Sequence, residues 1–191
     1  FLYKKREIIV NNKKNKANLL DKEKIKKTLI RLAHEIIEKN SRLEDIAIVG
    51  IRTRGDIIAD RIALIIKKIS KSDLKTGTLD VTFYRDDFKT NLGNPKIGPS
   101  DILFDVNNKN IILIDDVLYT GRTIRAAMDE IFSYGRPNSI RLAVMVDRGH
   151  RELPIKAEFV GKNFPTADNE HIYVLIKEID DEDLIYLERE S

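Results

Sequence analysis

Two stretches of the chain, Ile46–Ile51 and Asn110–Ile114, are nearly uninterrupted runs of branched apolar residues, and each stops abruptly at a polar turn. A strand with one wet face alternates apolar and polar residues. One that is apolar throughout has to be covered on both faces, as in a parallel sheet held between helices. The segments around these runs carry the complementary period. After Asp21, a fitting N-cap, apolar residues fall at Ile25, Leu29, Leu32, Ala33, Ile36 and Ile37. After Gly55 they fall at Ile58, Ile62, Ile65, Ile66 and Ile69. Both sets show the three-and-four spacing of a single helix face.

A third helix is predicted after Thr123, with Ile124, Ala127, Met128, Ile131 and Phe132 inward and Gly135 and Pro137 as its stop. Further strands are expected at Glu7–Val10, Leu79–Tyr84 and Arg141–Val146, with shorter ones near Ala157–Val160 and Ile172–Ile176. The Lys/Asn-rich Asn11–Asn18 reads as a loop. The stretch Arg85–Asn110, with Gly93, Pro95, Gly98 and Pro99, has no period, and loops that long in compact domains are usually functional lids or disordered. Strand and helix alternate as in right-handed βαβ units, which predicts an α/β fold.

The 191 residues suit one domain. The absence of cysteine excludes disulfides, a Cys-bearing zinc site and a thiol nucleophile. The start, Phe1–Arg6, has no apolar core of signal-peptide length, and no run reaches the roughly 18 apolar residues of a membrane span. A soluble, cytoplasmic protein with no membrane partner is expected. The net charge of +3 hides an asymmetry: residues 1–40 hold twelve Lys/Arg against five Asp/Glu, and residues 178–191 hold seven acids against one Arg. The basic end can be an anion-binding surface, but a Lys-rich solvated helix face is the commoner reading.

Ligands of open parallel sheets bind beyond the carboxyl ends of the strands. Three polar loops leave such ends: Arg52–Gly55, Asp115–Thr123 and Asp147–Arg151. In the middle one, backbone N–H groups around Thr120-Gly121-Arg122-Thr123 can cradle a phosphate, with the threonine hydroxyls as further donors. The adjacent acids Asp115 and Asp116 would face sugar hydroxyls or a divalent cation.

The complete string Ile111–Thr123 resembles the 5-phosphoribosyl 1-pyrophosphate (PRPP) motif of the type I phosphoribosyltransferases. Val49–Gly55, Leu79–Asp87 and Val146–Pro154 are similar to one of its subfamilies, the bifunctional pyrimidine operon attenuation regulators that are also uracil phosphoribosyltransferases. The resemblance runs from about Leu20 to the acidic tail. It implies a type I phosphoribosyltransferase fold: a single α/β domain over residues 1–191, with a twisted, mainly parallel sheet flanked by helices. A small hood would come from the N-terminal strand and residues about 157–180, and a flexible loop would span about 85–109.

The implied reaction converts uracil and PRPP, as its Mg²⁺ complex, to UMP and pyrophosphate. By resemblance, Thr120, Gly121, Arg122 and Thr123 hold the 5′-phosphate together with Val117, Leu118 and Tyr119 of the same motif. Asp115 and Asp116 engage the ribose or the metal. Arg52, Thr53, Arg54 and Gly55 form the pyrophosphate loop, where the superfamily can carry a cis non-proline peptide. Arg85 is the lid cation, and Phe159 and Val160 form the base pocket. Tyr119 stands where purine-specific relatives carry an acid, which favours uracil. The subfamily also binds the leader mRNA of the pyrimidine operon under control of UMP or UTP. His34, Lys39, Arg52, His150, Arg151, Lys156 and Lys162 match its RNA face, whereas Ile30 replaces a frequent threonine. A homodimer or higher homo-oligomer is implied as well.

Overall fold

The computed structural model describes residues 16–81 and 100–190. The strand expected at Glu7–Val10 and the lid residue Arg85 lie outside them. In chain order the elements are β1 (Lys16–Leu20), α1 (Lys22–Glu38), β2 (Ile46–Ile51), α2 (Gly55–Ser70), β3 (Lys75–Leu79) and β4 (Asn110–Leu118). They continue as α3 (Arg122–Tyr134), β5 (Ser139–Asp147), β6 (Phe159–Asn163), β7 (Glu170–Leu175), α4 (Lys177–Asp180) and β8 (Leu184–Arg189).

Five strands form a parallel sheet in the order β3-β2-β4-β5-β6. Because successive residues of a strand point to opposite faces, each apolar run feeds two cores. Ile48, Ile112, Ile114, Ala143 and Met145 pack with Ile25, Leu32 and Ile36 of α1 and with Ile58, Ile62 and Ile66 of α2. Ala47, Val49, Ile51, Ile111, Leu113, Leu142 and Val144 pack on the other side with Ile124, Ala127 and Ile131 of α3. The α/β expectation holds, and its helices fall where the spacing puts them, although Ile69 and Phe132 at their outer turns, Phe132 expected inward, are exposed. Asp21 caps α1 as expected, its Oδ1 accepting from the Lys24 N–H at 2.9 Å.

The sequence expectation differs from the structure in five places. The loop expected at Asn11–Asn18 gives way to strand at Lys16, and the acidic tail ends in strand β8. The two pair antiparallel, and β7 completes a second, three-stranded sheet in the order β1-β8-β7. Leu20, Val174, Ile176 and Ile185 join this sheet to the α1–α2 core. Strand β3 is Lys75–Leu79 and so ends where the expected Leu79–Tyr84 strand begins; Asp80 and Val81 are not strand, and residues 82–84 lie outside those described. Strand β4 runs past Ile114 through both acids to Leu118. Within the long aperiodic stretch, residues 100–109 are anchored: Thr78 and Asp101 exchange backbone hydrogen bonds at 2.8 and 2.7 Å, and Val106 is buried in the α3 core. Irregular backbone without a period can still be packed, and here it is fastened to edge strand β3.

Candidate active site

Since β2, β4 and β5 are parallel neighbours, the loops that follow them share one edge of the sheet. The first, Arg52–Arg54, contains a cis peptide between Arg52 and Thr53. Its end lies against β4: a Cβ added to Gly55 would fall 2.5 Å from the Ile114 carbonyl oxygen and 3.0 Å from the Asp115 Cα. Only glycine permits that approach, so the loop sits directly beside the two acids. Arg52 lies with its Nε 3.5 Å from an Asp56 carboxylate oxygen. Burial pushes the Asp56 carboxyl above the usual range, against the N–H of Ile57 and the Arg52 cation.

Asp115 and Asp116 are 2% and 6% exposed. Each carboxylate accepts the following backbone N–H, Asp116 N to Asp115 Oδ1 at 2.9 Å and Val117 N to Asp116 Oδ1 at 2.8 Å. Two carboxylates withdrawn from water at a strand end are costly unless cations or donors meet them. The described residues contain no group of three or more His, Cys, Asp or Glu arranged to hold a metal. A divalent cation at Asp115 and Asp116 would therefore take most of its ligands from substrate oxygens, which is how Mg²⁺ is commonly held beside phosphates.

Beyond the acids the chain turns at Thr120 and Gly121 into α3. Thr120 Oγ accepts from Arg122 N at 3.2 Å, and Gly121 adopts φ 95°. The first turn of α3 has no acidic residue and its N-cap has no side-chain hydrogen bond. The helix start therefore presents N–H donors and the positive end of its dipole, as a phosphate requires.

The third loop fastens the second. Glu152 N and Leu153 N donate to the Thr120 carbonyl at 3.0 and 3.2 Å, and Arg148 N donates to Leu118 O at 3.1 Å. Arg151 Nη1 donates to the carbonyls of Tyr119 (2.6 Å), Gly149 (2.9 Å) and Leu118 (3.3 Å), its Nε donates to Ile155 O (3.1 Å), and its Nη2 pairs with Asp147. Arg148, which the sequence reading passed over, is buried with its guanidinium 4.1 Å from the centre of the Tyr119 ring. It donates to Thr166 Oγ1 at 3.0 Å and to Glu170 O at 2.6 Å. Desolvation lowers its pKa from the arginine norm. Only its place in the Asp147–Arg151 string marked it; a lone arginine in a sequence does not announce burial.

The structure brings Arg52–Gly55, Asp115–Thr123 and Arg148 to one edge but leaves Phe159 and Val160 out of it. Phe159 is fully buried at the start of β6, level with Ala143, and Lys39 and Arg141 lie over its ring. Strand β6 reaches the site edge only at Asn163, opposite Asp147. The base-pocket expectation is corrected accordingly: an aromatic in an apolar strand start is core. Arg54 also turns away from the edge, toward Asp180. Of the residues matched to an RNA face, His34, Lys39, His150, Lys156 and Lys162 are exposed, Arg52 is partly buried at the site edge, and Arg151 is spent on the loop carbonyls. Arg31 bonds to the carbonyls of Val160 (3.0 Å) and Gly161 (2.5 Å) set α1 alongside edge strand β6, so His34, Lys39 and Lys162 border the same junction.

The phosphoribosyl transferase domain model matches residues 15–176. Bifunctional protein PyrR of Clostridium acetobutylicum is 54% identical over 170 residues, 89% of this chain and 96% of that protein. The protein of the same name from a Thermoanaerobacter species is 52% identical over 167 residues, 87% of this chain and 94% of its own. Among solved structures, a hypoxanthine-guanine phosphoribosyltransferase of Bacillus anthracis superposes with TM-score 0.68 at 20% identity, over 92% of this chain and 99% of that one. A hypoxanthine phosphoribosyltransferase of Staphylococcus aureus gives the same score and identity over 92% and 93%. At that identity these two speak to the fold. No helix among the described residues is long and apolar enough to cross a membrane.

Proposed function

The chain belongs to the phosphoribosyltransferase family and, within it, to the PyrR proteins, and from that premise we propose that it joins uracil to PRPP and regulates a pyrimidine operon by binding its leader mRNA. The observation that carries the reading is the shared edge at which two buried carboxylates, an uncapped helix start and a glycine-tight loop converge. Displacement of pyrophosphate from the ribose by a base nitrogen needs positioning and charge compensation more than covalent chemistry. The backbone N–H groups at Thr120–Thr123 hold the 5′-phosphate, which fixes the ribose over β4. Asp115 and Asp116 face the ribose hydroxyls and would hold Mg²⁺, which when bound offsets charge on the departing pyrophosphate. The Arg52–Gly55 loop receives that pyrophosphate, its backbone at contact distance from Asp115.

Tyr119 supports a pyrimidine acceptor. Its ring lies under the Arg148 guanidinium and edge-on to His150, at 6.0 Å between centroids, and offers no carboxylate to a purine N7. RNA would meet the exposed His34, Lys39, His150, Lys156 and Lys162, with cations on phosphates and unpaired bases for specificity. UMP or UTP serves as co-regulator, and a homodimer or larger homo-oligomer in the cytoplasm is the working form. The test is UMP formation from uracil, PRPP and Mg²⁺, run beside guanine and hypoxanthine. Uracil-only turnover is expected, and turnover of a purine alone overturns the assignment. A salt-dependent titration with the operon's leader hairpin, with and without UMP, tests the second role; binding indifferent to UMP counts against it.

A further inference from the structure

The acidic residues at the end of the chain grip α2. Arg54, the last residue of the β2–α2 loop, donates to Asp180 through Nε (3.1 Å) and Nη2 (2.8 Å) in a two-point fork. Two helical turns later Arg61, on the same face of α2, donates to Glu178 (3.0 Å, Nε) and Asp183 (2.8 Å, Nη2). The Asp180 carboxylate also accepts the Ile176 N–H at 2.8 Å, so its position is set by its own turn. Both partners of the fork are largely covered, with 27% and 17% of their side chains exposed. A planar guanidinium held at two points by an oriented carboxylate fixes the backbone that carries it. The Arg52–Gly55 loop is thus clamped from two sides: Gly55 rests on Ile114 and Asp115, and Arg54 is drawn toward the second sheet.

We infer that Asp180 is a positioning residue for diphosphate binding: through Arg54 it holds the Arg52–Gly55 loop in the shape that receives the diphosphate of the phosphoribosyl donor. This rests on the reading of that loop given above. Arg54 then contributes as a strut whose charge is already answered.

Simple electrostatics and positioning predict opposite signs. Removing the Asp180 charge leaves Arg54 uncompensated beside an anion site, which by Coulomb attraction alone tightens anion binding. Loss of the strut weakens it. Calorimetric titration with Mg²⁺ and inorganic pyrophosphate, together with KM for PRPP in the uracil assay, reads the sign. For Asp180→Asn the affinity is expected to fall about tenfold, equivalent to about 1.4 kcal/mol, with kcat held near wild type. Glu178→Gln, which removes an equally acidic neighbour paired to Arg61, leaves both readouts unchanged.

On an Arg54→Met background Asp180→Asn adds nothing, because the effect passes through the arginine. Asp180→Glu recovers part of the loss. Where Asp180→Asn fails to fold by circular dichroism, Arg54→Lys, which keeps the charge but not the fork, is expected to show the same weakened affinity. Unchanged or tighter pyrophosphate binding in the folded variants, or additive effects in the double variant, overturns the inference while wild-type turnover stands. A wild-type chain that binds neither PRPP nor pyrophosphate takes down the phosphoribosyl reading and this role together.

Discussion

Replacing Arg151 by methionine tests whether its guanidinium belongs to the protein interior or to an RNA face. The change removes four donations to main-chain carbonyls and the ion pair with Asp147, while keeping most of the apolar stem. Breaking a fully buried pair costs about 3–5 kcal/mol, and losing an exposed one costs less than about 1 kcal/mol. With the Arg151 side chain 23% exposed and Asp147 17%, the pair lies between these limits and nearer the first. A loss of about 2–3 kcal/mol follows, which for a chain of this size lowers Tm by about 4–12 °C. Thermal melts followed by circular dichroism, with urea unfolding as the equilibrium check, measure it. Arg151→Lys keeps the charge but cannot span four carbonyls and is expected to lose most of the same stability. Turnover falls in both, because Tyr119 and Thr120 lose their backing. A variant melting within about 2 °C of wild type yet impaired in RNA binding would falsify the interior role.

Asp115→Asn combined with Asp116→Asn is expected to abolish UMP formation while the melting curve persists; retained turnover removes these acids from the mechanism. Gly55→Ala places a Cβ 2.5 Å from the Ile114 carbonyl oxygen, so the loop has to move away from β4. KM for PRPP is expected to rise well before the fold is lost, and an unchanged KM denies the loop its part. The third test is pH. The hydrogen bond from Arg61 holds the Glu178 carboxyl below its usual range. The stabilisation this gives is complete above the ordinary glutamate value of 4.5 and disappears as pH falls through the lowered folded value. The Tm gap between wild type and Arg61→Gln should accordingly be constant near neutrality and close in strong acid, and a gap that widens toward low pH contradicts the pairing.

Much of the central layer was legible because burial on two faces writes itself into residue type. Ile46–Ile51 and Asn110–Ile114 had no alternative to a covered parallel strand, and the motif at Asp115–Thr123 followed from them. The second sheet was not legible. Strand β1 buries Leu20 alone and β8 buries Ile185 alone, so neither shows an alternation of burial, and each adjoins a stretch, Lys/Asn-rich or acidic, that reads as solvated loop or tail. The fates of individual cations were equally hidden. Arg148, Arg151 and Arg54 look alike in sequence, but one is buried over Tyr119, one is spent on carbonyls and one is forked onto Asp180. Phe159 misled because aromatic character carries no information about which end of a strand faces the ligand.

The register Lys16 with Glu188 pairs residues from opposite ends of the described chain. Such a contact has the greatest loop to close and contributes strongly to contact order, so it belongs late on the folding path. During synthesis the parallel layer and its two cores can assemble while β8 is still within the ribosome, since domains fold as their residues become available. Strand β1 then waits unpaired for its partner. Asp180 arrives on that same late segment, just before β8, so the Arg54 fork that clamps the Arg52–Gly55 loop closes only after the sheet strands have emerged. A nascent molecule with its parallel sheet already formed would hold the two carboxylates and the Thr120–Gly121 turn before the Arg54–Asp180 fork that clamps the Arg52–Gly55 loop is in place.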